Sequence, residues 1–278
     1  MPLRKVDLPP FSPQVSAGQA GKHLIGQIPQ GYIYDVIVLV LTGVFVAADI
    51  PRILLKAGGT IIWDLTATEL EKINKYYSLT DNVTYIPLHF SDRQAATIQG
   101  QRIGALDTVN FRYNELSLQI ETDGTQSGAV GLSAFAMTGG PKDPEVAAMV
   151  RCLIPSDSSV GGTTEPISVP IGIPEAGNLI RAVHVWHTNM TDFEVWKDTT
   201  AELPKTSLAE YQFLTDEVHR TSQAGVFTYD PTMDANQGDS LDPLRFDGSP
   251  AVLQFKGTFS NTDSVRVISE LYATVNTL

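Results

Sequence analysis

Cys152 is the only thiol in 278 residues. A lone cysteine excludes an internal disulfide framework and any zinc site built on several thiolates, and its expected state is a small buried hydrophobe. Basic residues are also scarce: 19 Lys and Arg stand against 31 Asp and Glu, a formal charge of −12. So acidic a surface repels phosphate backbones and disfavours direct nucleic-acid binding. No apolar run is long enough to span a bilayer. The most apolar one, 36–48, is bounded by Asp35 and Asp49, and its Val and Ile content suits a buried strand. The basic pair Arg4-Lys5 has no apolar core behind it, so no secretion signal is read there, and a soluble chain made in the host cytoplasm is expected.

Recognisable catalytic motifs are missing too. No nucleophile elbow, phosphate loop or dinucleotide fingerprint occurs, and Gly161-Gly162-Thr163-Thr164 lacks the lysine of a phosphate cradle. His184 and His187 lie three apart in a strand-like run. They therefore face opposite ways and cannot chelate one metal from one face. Asp192, Glu194 and Asp198 cluster, as do Asp230, Asp234, Asp239 and Asp242. Such density suits a structural Ca2+ chemically, but the spacing matches no calcium loop, and no ligand is assigned. No catalytic, cofactor-binding or metal-binding residue is assigned, and a non-enzymatic protein is expected.

What is present is a repeat. Ile28-Pro29 and Ile173-Pro174 each precede a strand-like run. Each half then carries a Trp (Trp63, Trp196), a capping box (Thr66 to Glu69, Ser207 to Glu210), a short strand (84–90, 225–230) and a Leu-Asp pair (Leu106-Asp107, Leu241-Asp242). Pro29–Pro174, Trp63–Trp196, Thr66–Ser207, Phe90–Tyr229 and Asp107–Asp242 are 145, 133, 141, 139 and 135 residues apart, all near half the chain and in the same order. Both helices are expected to carry an apolar stripe: Leu70, Ile73 and Tyr77 in the first; Leu208, Tyr211, Leu214 and Val218 in the second. Leu116, Leu118 and Ile120 alternate with polar residues, as do Leu253, Phe255 and Phe259, which places one face of each strand in a core. The pattern predicts an all-β chain of two tandem two-sheet sandwiches, residues 1–140 and 141–278, each with one short helix.

The segment Ile62-Trp63-Asp64-Leu65, continuing as Glu69-Leu70-Glu71-Lys72-Ile73-Asn74-Lys75-Tyr76-Tyr77, resembles the corresponding segment of double jelly-roll major capsid proteins. The likeness is to those of corticovirus-type, membrane-containing icosahedral bacteriophages. Leu8-Pro9-Pro10-Phe11-Ser12, Gly104-Ala105-Leu106-Asp107-Thr108, Ala224-Gly225-Val226-Phe227 and Glu270-Leu271-Tyr272 are similar to the family as well, so the resemblance runs through nearly the whole chain. It implies a major capsid protein whose homotrimers form pseudo-hexameric capsomers. These would tile the virion shell around an internal membrane, with neighbouring capsomers, a penton protein and that membrane or its proteins as partners. The N-terminal segment, with Arg4 and Lys5 among prolines, is read either as an extended arm toward lipid or a neighbour, or as a frayed end. Two other readings stay open. A glycan-processing hydrolase would use acids such as Asp192 and Glu194; a carbohydrate-binding protein would need Tyr32, Tyr34, Tyr76 and Tyr77, or Trp63 and Trp196, to face solvent.

Overall fold

The computed structural model describes residues 4–79 and 82–278. The first half comprises β1 (Arg4–Asp7), β2 (Lys22–Gln27), β3 (Ile33–Gly43), β4 (Arg52–Ala57), β5 (Thr60–Leu65), α1 (Ala67–Tyr76), β6 (Tyr85–His89), α2 (Ile98–Arg102), β7 (Leu106–Asp107), β8 (Leu116–Thr122) and β9 (Val130–Thr138). The second comprises β10 (Met149–Val160), β11 (Thr164–Pro166), β12 (Leu179–Trp186), β13 (Met190–Lys197), β14 (Thr200–Ser207), α3 (Leu208–Glu217), β15 (Val226–Tyr229), β16 (Leu253–Phe259) and β17 (Asp263–Thr274). The first half thus carries a further five-residue helix, α2, beyond the one expected.

The strand order is duplicated. In the first half one sheet runs β1-β9-β3-β6, and a second row runs β5-β4-β8-β2. In the second half the corresponding strands run β10-β17-β12-β15 and β14-β13-β16-β11, the same order position by position. Finer features repeat as well. The pairing of β3 with β9 is bulged between Tyr34 and Val36, and that of β12 with β17 between Ile180 and Ala182. Leu106 bridges Tyr34 and Leu241 bridges Ile180, so the two Leu-Asp pairs close equivalent positions.

Both helices begin where the sequence placed them. Thr66 Oγ accepts from the Glu69 amide and Ser207 Oγ from the Glu210 amide, with each glutamate reaching back to its cap. After the helices, Ser78 and His219 both adopt positive φ (51° and 60°), which confirms the 141-residue offset.

Two of the matched pairs do not survive. Trp63 lies in β5, the strand before its helix, whereas Trp196 lies in β13, the counterpart of β4. The residue equivalent to Trp63 is Pro204, and the short 133-residue spacing of the tryptophans reflects that mismatch. Phe90 and Tyr229 are likewise two residues out of step. In the aligned strands Ile37 faces Leu88 and Val183 faces Tyr229, which makes Leu88 the true counterpart.

The halves share one sheet. β10 of the second half lies parallel to β5 of the first at Leu153–Trp63, so two four-stranded rows merge into one sheet of eight. Trp63 is fully buried, and its indole N–H donates to Arg151 O at 2.7 Å across the junction. Gly104 lies close by and accepts from the Arg151 amide at 3.0 Å. A Cβ there would sit 2.5 Å from Phe90 O, so only glycine admits this backbone approach. The connecting segment is pinned by Lys142, whose buried ammonium donates to Ala105 O (2.9 Å) and to Met149 O.

Replacing Trp63→Phe keeps an aromatic ring, though a smaller one, and strips Arg151 O of its buried donor, which should lower unfolding stability by at least about 1–3 kcal/mol in urea denaturation.

Candidate functional site

The junction between the halves is the most heavily charged buried region of the chain. Helix α1, from the first half, lies on the outer face of the second half's β10-β17-β12-β15 row. Its capping glutamate, Glu69, bonds Arg266 at 2.5 Å. Lys72 donates to Ala224 O at 3.0 Å, Tyr76 to Asp230 at 3.4 Å and Tyr77 to Glu270 at 3.0 Å. Beyond the helix, Ser78 Oγ donates to His219 O at 2.9 Å, and the Thr221 amide to Tyr76 O at 2.9 Å.

Glu270, on β17, is the centre of this network and is wholly buried. Arg151 approaches it at 2.7 Å; Arg181 pairs with it through Nη1; His184 Nε2 stands 3.3 Å away. Arg181 also pairs with Asp92 of the first half. Asp92 in turn accepts from Gln237 at 2.8 Å, and Gln237 accepts from the Tyr272 hydroxyl at 2.8 Å. Asp230 is held by Arg220 at 3.4 Å and accepts from the Thr232 amide and hydroxyl at 2.9 and 2.8 Å. Arg181, Arg220 and Arg151 surround the Tyr77 ring with guanidinium carbons 4.0, 5.0 and 5.7 Å from its centroid.

Burial by itself would raise the pKa of Glu270, but the adjacent Arg151 and Arg181 outweigh it and hold this carboxyl well below the carboxylate range. Asp92 is lowered against the same burial cost by Arg181. Asp230 goes the other way: burial pushes it up, only partly opposed by Arg181 and Arg220. His184 is pushed down by burial despite its contact with Glu270. These groups neutralise one another within a closed network. They clamp two halves together; they do not aim a nucleophile at a substrate.

The residues singled out in the sequence are scattered. His184 points into the junction and bonds Thr228 at 2.9 Å, while His187 lies beyond the end of β12. Asp192 and Glu194 are ion-paired, with Lys205 at 3.9 Å and Lys256 at 3.7 Å, and Asp198 is paired with Arg245 at 2.6 Å. Within the other acidic group, Asp230 is buried, Asp234 and Asp239 bond Asn236 at 3.0 and 2.9 Å, and Asp242 accepts from the Leu244 amide at 2.8 Å. Among the described residues no group of three or more His, Cys, Asp or Glu side chains is placed to hold a metal ion. Tyr34, Tyr76, Tyr77 and Trp63 are buried, so they form no sugar platform; Trp196 is half-buried beneath Lys256. Cys152 is fully buried, and burial pushes its thiol pKa up. Arg4–Asp7 forms a strand paired with β9 and is not a free arm; residues 1–3 lie outside the described residues.

Sequence reasoning missed the junction network. Its available signal was a lone charge inside an apolar strand, as at Arg181 and Glu270.

Two family models match the sequence. The viral coat protein P2 N-terminal domain covers residues 8–139, and the viral coat protein P2 C-terminal domain covers residues 156–275. No curated protein matches significantly. Among solved structures, the major capsid protein P2 from bacteriophage PM2 shares the fold at a TM-score of 0.84 and 18% identity, over 98% of this chain and 97% of that one. A chain of Sulfolobus Turreted Icosahedral Virus superposes at 0.66 with 13% identity over 98% and 91%. A chain of the PBCV-1 virus capsid superposes at 0.61 with 10% identity over 98% and 93%.

Glu270→Gln leaves Arg151 buried without its counter-charge and Arg181 with Asp92 alone, and should cost about 3–5 kcal/mol of stability. Because the folded pKa of Glu270 lies below its ordinary 4.5, the carboxylate's contribution is complete above that pH and is lost as pH falls through the folded value. Thermal melts should therefore show a constant gap between wild type and variant from pH 8 to about 5, closing only in stronger acid.

Proposed function

The chain belongs to the viral coat protein P2 family, carrying both of its domains, and from that membership we propose that three copies form one capsomer of an icosahedral shell. The protein is a double jelly-roll major capsid protein, a structural component of the virion and not an enzyme. The observation that carries the three-chain reading is the duplicated strand order with a parallel junction between unlike rows. Two similar sandwiches, divided after residue 140, present six near-equivalent walls when three chains assemble, which suits sixfold positions of a shell. Neighbouring capsomers, a penton protein and an internal membrane are the partners this reading calls for, and synthesis in the host cytoplasm precedes assembly. The formal charge of −12 opposes direct contact with nucleic acid and fits a shell separated from its genome by lipid.

Sedimentation of the purified protein should give one species of about three times 30.2 kDa, with hexagonal outlines by negative-stain microscopy. A chain that stays monomeric at high concentration overturns the proposal. Mobility-shift titration with duplex DNA at moderate salt should show no complex.

A further inference from the structure

The duplicated architecture leaves one joint made and its counterpart open. Within the chain, β5 and α1 of the first half dock on the β10-β17-β12-β15 row of the second. The counterparts of β5 and α1 are β14 and α3; those of the receiving row are β1-β9-β3-β6. Among the described residues β14 and β1 are both sheet edges, and each therefore has an unpaired ladder.

The surfaces bear the marks of an unfilled joint. Helix α3 was expected to bury Leu208, Tyr211, Leu214 and Val218, yet only Tyr211 and Thr215 of the helix are buried. Phe213, Leu214 and Val218 are 64%, 47% and 37% exposed. The expectation fails because α1 has a sheet from the other half over it and α3 has none. The outer face of the β1-β9-β3-β6 sheet carries a matching apolar groove of about 290 Å3, lined by Val36, Val38, Tyr85, His89, Phe135 and Met137 among others. His89, in that groove, is buried with neither ring nitrogen hydrogen-bonded. Next in the chain to Asn82, which also lines the groove, Val83 is 79% exposed.

Position-by-position equivalence shows which groups would meet. The helices align at 141 residues by their caps. The bulges align β3 with β12, and the registers of β6 and β9 then follow. The contact of Lys72 with Ala224 becomes Phe213 with Val83, two exposed apolar side chains. Tyr77 with Glu270 becomes Val218 with Met137, again apolar on both sides. Tyr76 with Asp230 becomes Glu217 with His89, an acid brought to an unpartnered imidazole. In the last two pairs both members change together in chemistry, while in the first the backbone carbonyl of Ala224 gives way to the Val83 side chain as partner.

We propose that α3 and the β14 edge of one chain dock on the outer face of the β1-β9-β3-β6 sheet of a second copy, repeating between chains the joint that α1 and β5 make within one. This rests on the three-chain reading above and deepens it by naming the two surfaces. The contact is heterologous, so it closes into a ring only when the last copy meets the first.

Phe213→Asp changes an exposed helix position, so the chain should fold with unchanged circular dichroism. Its assembly, followed by sedimentation over a concentration series, should dissociate at a concentration at least about thirtyfold higher than wild type. As a second measurement, the double variant Val83→Cys with Phe213→Cys is treated with a short bis-maleimide, Cys152 being buried. Species of two and three chains should appear on a denaturing gel and be absent from either single variant. A trimer whose dissociation is unaffected by Phe213→Asp, or whose double variant links no better than the singles, overturns this assignment of surfaces and leaves the trimer standing. A wild-type chain that never associates overturns both.

Discussion

Glu270 is a full negative charge with no solvent access, and the arrangement of the two sandwiches depends on keeping it neutralised. A buried ion costs several kcal/mol to desolvate, and that cost is offset only where partners sit at bonding distance in good geometry. Arg151 lies on β10, Arg181 on β12 and Tyr77 beyond α1, so three elements from both halves must arrive together. Among the described residues the β pairing that joins the halves is one parallel bridge, Leu153–Trp63, too little to fix an angle alone. The charge network supplies the missing constraint. A slip of one half against the other would leave a buried arginine or carboxylate unpaired. Such a network adds specificity of geometry more than net stability.

The internal joint and its proposed counterpart use different chemistry for a physical reason. Inside one chain the partners are covalently tethered, so a polar interface can form as the sandwiches fold, and its demanding geometry serves to fix the angle. Between chains the contact must form from separately folded subunits. There, apolar side chains such as Phe213 and Val83 supply a driving force that grows with buried area and tolerates small misalignment. The same helix-on-sheet plan is therefore written twice, with charged and hydroxylated residues where precision comes from folding, and with Phe, Val and Met where assembly comes later.

Much of the fold was legible because its signals are local. Each capping box is fixed by residues three apart, and the alternation in 116–120 by neighbours on one strand. The Leu-Asp pairs were found correctly because both copies close the same bulged strand. The tryptophans misled for the opposite reason. A rare residue attracts a match on identity alone, while Trp63 and Trp196 occupy different strands and different environments. The apolar stripe of α3 was visible in the sequence, but whether a stripe is covered depends on what lies opposite, and no local pattern encodes that. The junction network was the least legible: Tyr77 and Glu270 are separated by 193 residues, and a lone charge among the apolar neighbours of Glu270 does not say what it pairs with.

The bulges show how duplication produced different surfaces from one plan. In both halves one extra residue is inserted at the same place, Asp35 in the first and Arg181 in the second. A bulge turns a side chain out of the strict alternation, so a charged residue inside an apolar strand can reach partners beyond the sandwich core. Arg181 uses this freedom to bond Asp92 across the junction and Glu270 on the neighbouring strand, whereas Asp35 turns to Arg102 at 3.5 Å within its own half. The backbone device is thus common to both copies, and the sign of the residue placed on it decides whether it serves the joint between halves or the local packing of one. Retaining the backbone and varying the charge is what lets two copies of one fold play unequal roles in a single wall.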